Sequence, residues 1–137
     1  MSLSNAPIYA KAYHFHLNIF EVTKNFAKCY RPSLGQRLEM TALDLTIGIR
    51  SALFAKGSHG FKRLLPLVDK LKVLLQTSFD LKLIGIGRYG ELCEQIHDIG
   101  RILNALQRST RDAKAPFDRA DRKHPEPKQS DETLPAG

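Results

Sequence analysis

Four features of the sequence could carry chemistry. Cys93 and His97 are four residues apart, so on a helix they share a face and offer two metal ligands. Glu94 and His97 have the Glu-x-x-His spacing of di-metal helical bundles, but the motif occurs once and no matching glutamates stand elsewhere. His14 and His16 are two apart, which sends them to different sides of a helix. Gly85-Ile86-Gly87-Arg88-Tyr89-Gly90 spells GxGxxG, which binds a dinucleotide only after a strand and before a helix. Each has a plainer reading: a half-buried pair beside a core stripe, two surface or core histidines, and a turn between two helices. Ser33 has no His or Asp at a recognisable spacing and reads as a helix cap. Nothing here makes an enzyme, a cofactor site or a metal site.

The remaining signal is charge. The 137-residue chain has a formal net charge of +7, unevenly placed. Residues 1–111 hold 16 Lys and Arg against 8 Asp and Glu, whereas residues 112–137 hold 5 against 6. The excess lies in the segment that can fold, which argues for a polyanionic partner such as RNA or DNA. Arg37, Lys70, Arg101 and Arg108 are the candidate phosphate contacts among cations spread over three helices. No helix-turn-helix, zinc-finger or RNA-recognition pattern accompanies them, so binding would be salt-dependent and indifferent to sequence.

The elements that hold these residues follow from apolar spacing. Ile8, Ala12, Phe15, Ile19, Val22 and Phe26 recur at three- and four-residue steps and predict a helix from Pro7 to about Cys29. Ser33 to Lys56, closed by Gly57, forms a second, with Leu34, Leu38, Ala42, Leu45, Ile49 and Ala52 as its stripe. Tyr9, Tyr13, His16 and Phe20 flank the first stripe, and Met40, Leu43, Ile47 and Leu53 or Phe54 give the second helix another apolar face. A helix apolar on two sides needs two neighbours. A third helix spans about Phe61 to Leu83, beginning or bending near Arg63 because Pro66 does not suit a helix interior. A fourth spans about Arg88 to Ser109, with Leu92, Ile96, Ile99 and Leu103 inward and Gly100 at a close helix contact.

Four amphipathic helices with short links predict an all-α fold, an up-down-up-down antiparallel four-helix bundle over residues 1–111. Residues 112–137, with four prolines and few apolar groups, read as a disordered charged tail. Two cysteines without a CxxC are too few for a disulfide scaffold. No apolar run approaches the roughly 20 residues that span a bilayer, and no signal peptide is evident, so a cytoplasmic protein is expected.

Two segments resemble a known family. Leu34-Gly35-Gln36-Arg37-Leu38, continuing into Thr41-Ala42-Leu43-Asp44, is similar to the second-helix signature of small bacterial four-helix-bundle proteins. These are the proteins encoded in 23S ribosomal RNA intervening sequences and the accessory variability determinant, Avd, of diversity-generating retroelements. Leu81-Lys82-Leu83-Ile84, Tyr89 and Asp98-Ile99-Gly100-Arg101-Ile102-Leu103 resemble the Avd branch, so the likeness covers about residues 7–109. It implies a non-enzymatic homo-oligomer, a pentamer in that branch, which binds a reverse transcriptase and RNA or DNA during mutagenic retrohoming. The alternative it leaves open is a structural or interaction module of the intervening-sequence type, with no nucleic-acid role.

Overall fold

A computed structural model describes residues 7–55 and 59–121; for His59 and residues 110–121 it describes the backbone alone. The fold is all-helical, and no strand occurs among the described residues. Four long helices, α1 (Pro7–Thr23), α2 (Gln36–Phe54), α4 (Leu65–Asp80) and α5 (Ile86–Asp121), are joined by turns and by the one-turn helix α3 (His59–Lys62).

The inward stripes are those that the spacing predicts. Ile8, Ala12, Phe15 and Ile19 of α1 meet Leu38, Ala42, Leu45 and Ile49 of α2, and all are buried. Val68, Leu71 and Leu75 of α4 and Leu92, Ile96, Ile99 and Leu103 of α5 complete the core. Each buried Val, Leu, Ile or Phe among them contributes about 1.5–3 kcal/mol relative to exposure. The long helices form a bundle-like ring: α1 packs on α2 and α5, and α4 packs on the same two. Polar contacts reinforce the α1 seams. His16 and Thr23 of α1 bond Thr46 and Glu39 of α2, and Lys11 and Asn18 bond Asp98 and Gln95 of α5.

The connections depart from the sequence reading. α1 ends at Thr23 rather than near Cys29, and the chain descends through a 3-10 turn at Lys28–Tyr30 and a wide turn at Arg31–Gly35. That wide turn runs straight into α2, and the Gln36 amide donates back to the Arg31 carbonyl. Turn carbonyls thus serve the entering amides, and Ser33 is no cap; its hydroxyl donates to the Tyr30 carbonyl at 3.4 Å. Gly57, expected to close α2, lies outside the described residues.

The break expected near Arg63 is present. The chain turns at Arg63–Leu64, and Pro66 sits in the first turn of α4, where its missing N–H costs nothing. α4 then stops at Asp80, short of Leu83, and Leu81 is exposed. The stop is a Schellman closure. Leu83 N–H donates to the Ser78 carbonyl and Lys82 N–H to the Phe79 carbonyl, both at 2.9 Å. Lys82 takes the left-handed conformation, φ 63°, that such a closure requires. Phe79 and Tyr89 stack across the corner at 4.4 Å.

α5 begins at Ile86, so Gly87 and Gly90 are helical rather than part of a loose turn. The element before them is the end of α4, not the strand that a dinucleotide site needs. The helix continues to Asp121, past Ser109 where the apolar pattern ends; the rest of the expected disordered tail, 122–137, lies outside the described residues.

Candidate functional site

The polar faces of α4 and α5 meet along a groove. Gly100 sets its floor: a Cβ there would stand 3.1 Å from Val68 Cγ1, so the two helices approach closely at that point. His97, Arg101, Asn104 and Arg108 follow at steps of four, three and four, which places them in one row along α5. Leu65, Asp69 and Lys72 of α4 form the other wall, and the groove encloses roughly 470 Å³. Neither Lys72 nor Arg108 forms an ion pair among the described residues.

Arg101 is partly engaged. Its guanidinium contacts Asp98 one turn before it, and Lys11 of α1 reaches the other Asp98 oxygen at 2.9 Å. Hydrogen bonds from Lys11, and then from Arg101, hold the Asp98 carboxyl below its ordinary range. A guanidinium has five N–H donors, so Arg101 keeps several for a ligand in the groove.

A second groove, roughly 610 Å³, opens between α4 and the start of α2. Arg37, Met40 and Asp44 line one side and Lys70 the other. The four phosphate contacts drawn from the sequence therefore divide into two pairs. Arg101 and Arg108 share the α4/α5 groove, and Arg37 and Lys70 share the α2/α4 groove. They do not converge because Lys70 and Lys72 are two residues apart, about 200° around α4, and each faces a different neighbour. Asn104 is the groove residue that the sequence does not single out; His97 enters there only as a candidate metal ligand, and Lys72 only as one of the cations spread over three helices. The signal for His97 and Asn104 is the 97-101-104-108 row, which continues the α5 periodicity on a flank instead of in the core.

The other candidate chemistry resolves into structure. Cys93 is half-buried; its thiol pairs with the Tyr89 hydroxyl, which with burial pushes that phenol above its ordinary value. His14 is exposed and His16 buried, on different sides of α1 as their spacing requires. No group of three or more His, Cys, Asp or Glu able to hold a metal ion occurs among the described residues.

The outer faces of α1 and α2 carry a different feature. Tyr13, Leu17 and Phe20 are exposed in one row on α1, and Met40, Ile47 and Phe54 in one row on α2. Ile47 and Phe54 are 54% and 62% exposed, high for side chains of that size at helical spacing. These rows overlap the second apolar faces read from the sequence at Tyr13, Phe20, Met40, Ile47 and Phe54. No helix among the described residues is long and apolar enough to cross a membrane. Comparison with protein-family models, with curated proteins and with solved structures finds no match to the chain.

Proposed function

We propose that this protein is a non-enzymatic accessory factor of the Avd type, which assembles with itself and binds RNA or DNA beside the reverse transcriptase of a diversity-generating retroelement in the cytoplasm. In this reading the four long helices run up-down-up-down, and the polymerase performs the chemistry while the bundle supplies charge, position and a docking surface. The observation that carries it is the gathering of Lys72, Arg101 and Arg108 around one groove, two of them without an ion pair among the described residues. Such a surface recruits phosphates by counterion release and needs no base-reading motif. The exposed rows on α1 and α2 support self-association, as a pentamer by the family likeness.

The test is binding of labelled RNA and DNA by the purified protein across a salt series. Affinity should fall by about 10³-fold or more between roughly 50 and 200 mM salt if six or more phosphates are engaged. Absence of binding at low salt favours the structural module of the intervening-sequence type.

A further inference from the structure

The α4/α5 groove is not uniformly basic. Arg101 and Arg108 stand on α5, whereas the α4 wall offers a carboxylate, Asp69, next to Lys72. A carboxylate beside a phosphate would repel it, and a groove meant only for a sugar–phosphate backbone gains nothing from one. Beside the amino group of a base the same carboxylate accepts a hydrogen bond. Asn104 adds an amide that can donate and accept. Between the walls the floor is apolar, Leu65, Val68 and the bare backbone of Gly100, with the His97 ring at one end. Imidazole and guanidinium planes are surfaces on which bases stack. A duplex offers its amino groups only inside its major groove, where a side chain lining a cleft between two helices does not reach, and it keeps its stacked faces inside, so it could use little here besides the cations. A single strand could use every group. The row from His97 to Arg108 extends about 16 Å along α5, room for several nucleotides.

We infer that the α4/α5 groove holds one unpaired nucleic-acid strand, with its phosphates along Arg101 and Arg108 and its base edges toward Asp69 and Asn104. The inference rests on the nucleic-acid reading above and narrows it to a strand, a groove and a direction. The base class favoured at Asp69 is one with an exocyclic amino group, cytosine over uracil among pyrimidines. Arg37 and Lys70, in the other groove, are the competing site from which the experiment separates this one.

The experiment is fluorescence anisotropy of the full chain with labelled oligo-C, oligo-U and a duplex of matched length, about 16 nucleotides, at low salt and then across a salt series. Single strands should bind about tenfold or more tighter than the duplex. The Arg101→Ala/Arg108→Ala variant should lose about tenfold or more on single strands and lower the salt slope by about two. Arg37→Ala/Lys70→Ala should lose less on single strands than Arg101→Ala/Arg108→Ala. Asp69→Asn should reduce the preference for oligo-C over oligo-U without weakening oligo-U, a shift that a purely structural Asp69 would not produce. All these side chains lie on the surface, and a circular-dichroism melt confirms that each variant is folded. Duplex binding as tight as single-strand binding, or a loss confined to Arg37→Ala/Lys70→Ala, overturns the groove while leaving nucleic-acid binding in place. An unchanged C-to-U ratio in Asp69→Asn overturns the base-side arrangement. Failure to bind either strand form at low salt overturns both readings.

Discussion

His16 Nδ1 lies 3.1 Å from Thr46 Oγ1, inside the seam between α1 and α2. The Thr46 hydroxyl also lies 3.2 Å from the Ala12 carbonyl and 3.1 Å from the Ala42 carbonyl, and it has one proton to give. When that proton goes to a carbonyl, His16 donates from Nδ1 and the neutral ring is satisfied there. Tyr13 and Phe20 meet the ring edge to face, at 4.9 and 6.1 Å between centroids. Burial lowers the His16 pKa below its ordinary value of 6.5, only partly opposed by the Ala12 carbonyl.

A pH dependence follows. The unfolded chain binds the His16 proton at ordinary pKa and the folded chain binds it less readily, so between the two values the unfolded state carries more protons. The stability contributed by neutral His16 is complete above about pH 6.5 and is lost as pH falls from there through the folded pKa. Denaturant midpoints should decline from pH 7.5 toward pH 5, and His16→Gln should flatten that decline. A wild-type midpoint that is level through this window refutes the assignment.

Lys82 is the only non-glycine residue described with positive φ. Its Schellman closure is complete in hydrogen bonds, so the strain comes from the side chain alone. A left-handed L-residue costs roughly 1–2 kcal/mol, while a glycine loses about 0.5–1 kcal/mol more entropy on folding. Lys82→Gly should therefore stabilise the protein by about 0.5–1 kcal/mol in chemical denaturation, and a destabilised variant would show that the lysine side chain makes a contact of greater worth.

The two closures at Thr23 and Lys82 mark the limit of what the sequence reveals. Stripes such as Ile8-Ala12-Phe15-Ile19 are legible because burial requires three- and four-residue steps whatever the neighbours are. Helix ends depend on where backbone groups find partners. The carbonyls of the Arg31–Gly35 turn replace Ser33 as partners for α2, and a lysine fills the position where glycine would have signalled a stop. The groove cations are legible as charges off the core stripes, but sorting Arg37 and Lys70 from Arg101 and Arg108 requires knowing which neighbour each helix flank meets. Periodicity fixes the angle of a residue around its own helix and says nothing of the helix beside it.

Gly48 shows the same dependence on a neighbour. A Cβ at this position would overlap Leu64 Cδ2, a contact that forces the buried Leu64 side chain to move. Overpacking of this kind costs about 1–3 kcal/mol, against about 1 kcal/mol gained by alanine over glycine in a helix. Gly48→Ala should destabilise the wild-type chain, by up to about 2 kcal/mol. In a Leu64→Ala background, where the space is open, the same substitution should stabilise by about 1 kcal/mol. Equal effects in both backgrounds would show that Leu64 is not what excludes a larger residue.

The exposed rows on α1 and α2 set the last prediction. Within one chain, burying Leu17 or Ile47 contributes little, because each is about half exposed. Replacing either with a charged residue should therefore change the unfolding midpoint of an isolated subunit only slightly. If these rows pack against further copies, the same charge lands in an apolar interface without a partner, and desolvating it costs several kcal/mol per contact. Leu17→Asp and Ile47→Asp should lower the mass measured by light scattering from an oligomer toward the 15.4 kDa of one chain, with helical circular dichroism retained. Closed symmetry multiplies the effect, since one substitution appears at every interface of the ring. A wild-type protein that already scatters as a single chain at micromolar concentration would refute self-association, and with it the assembly that the proposed function requires.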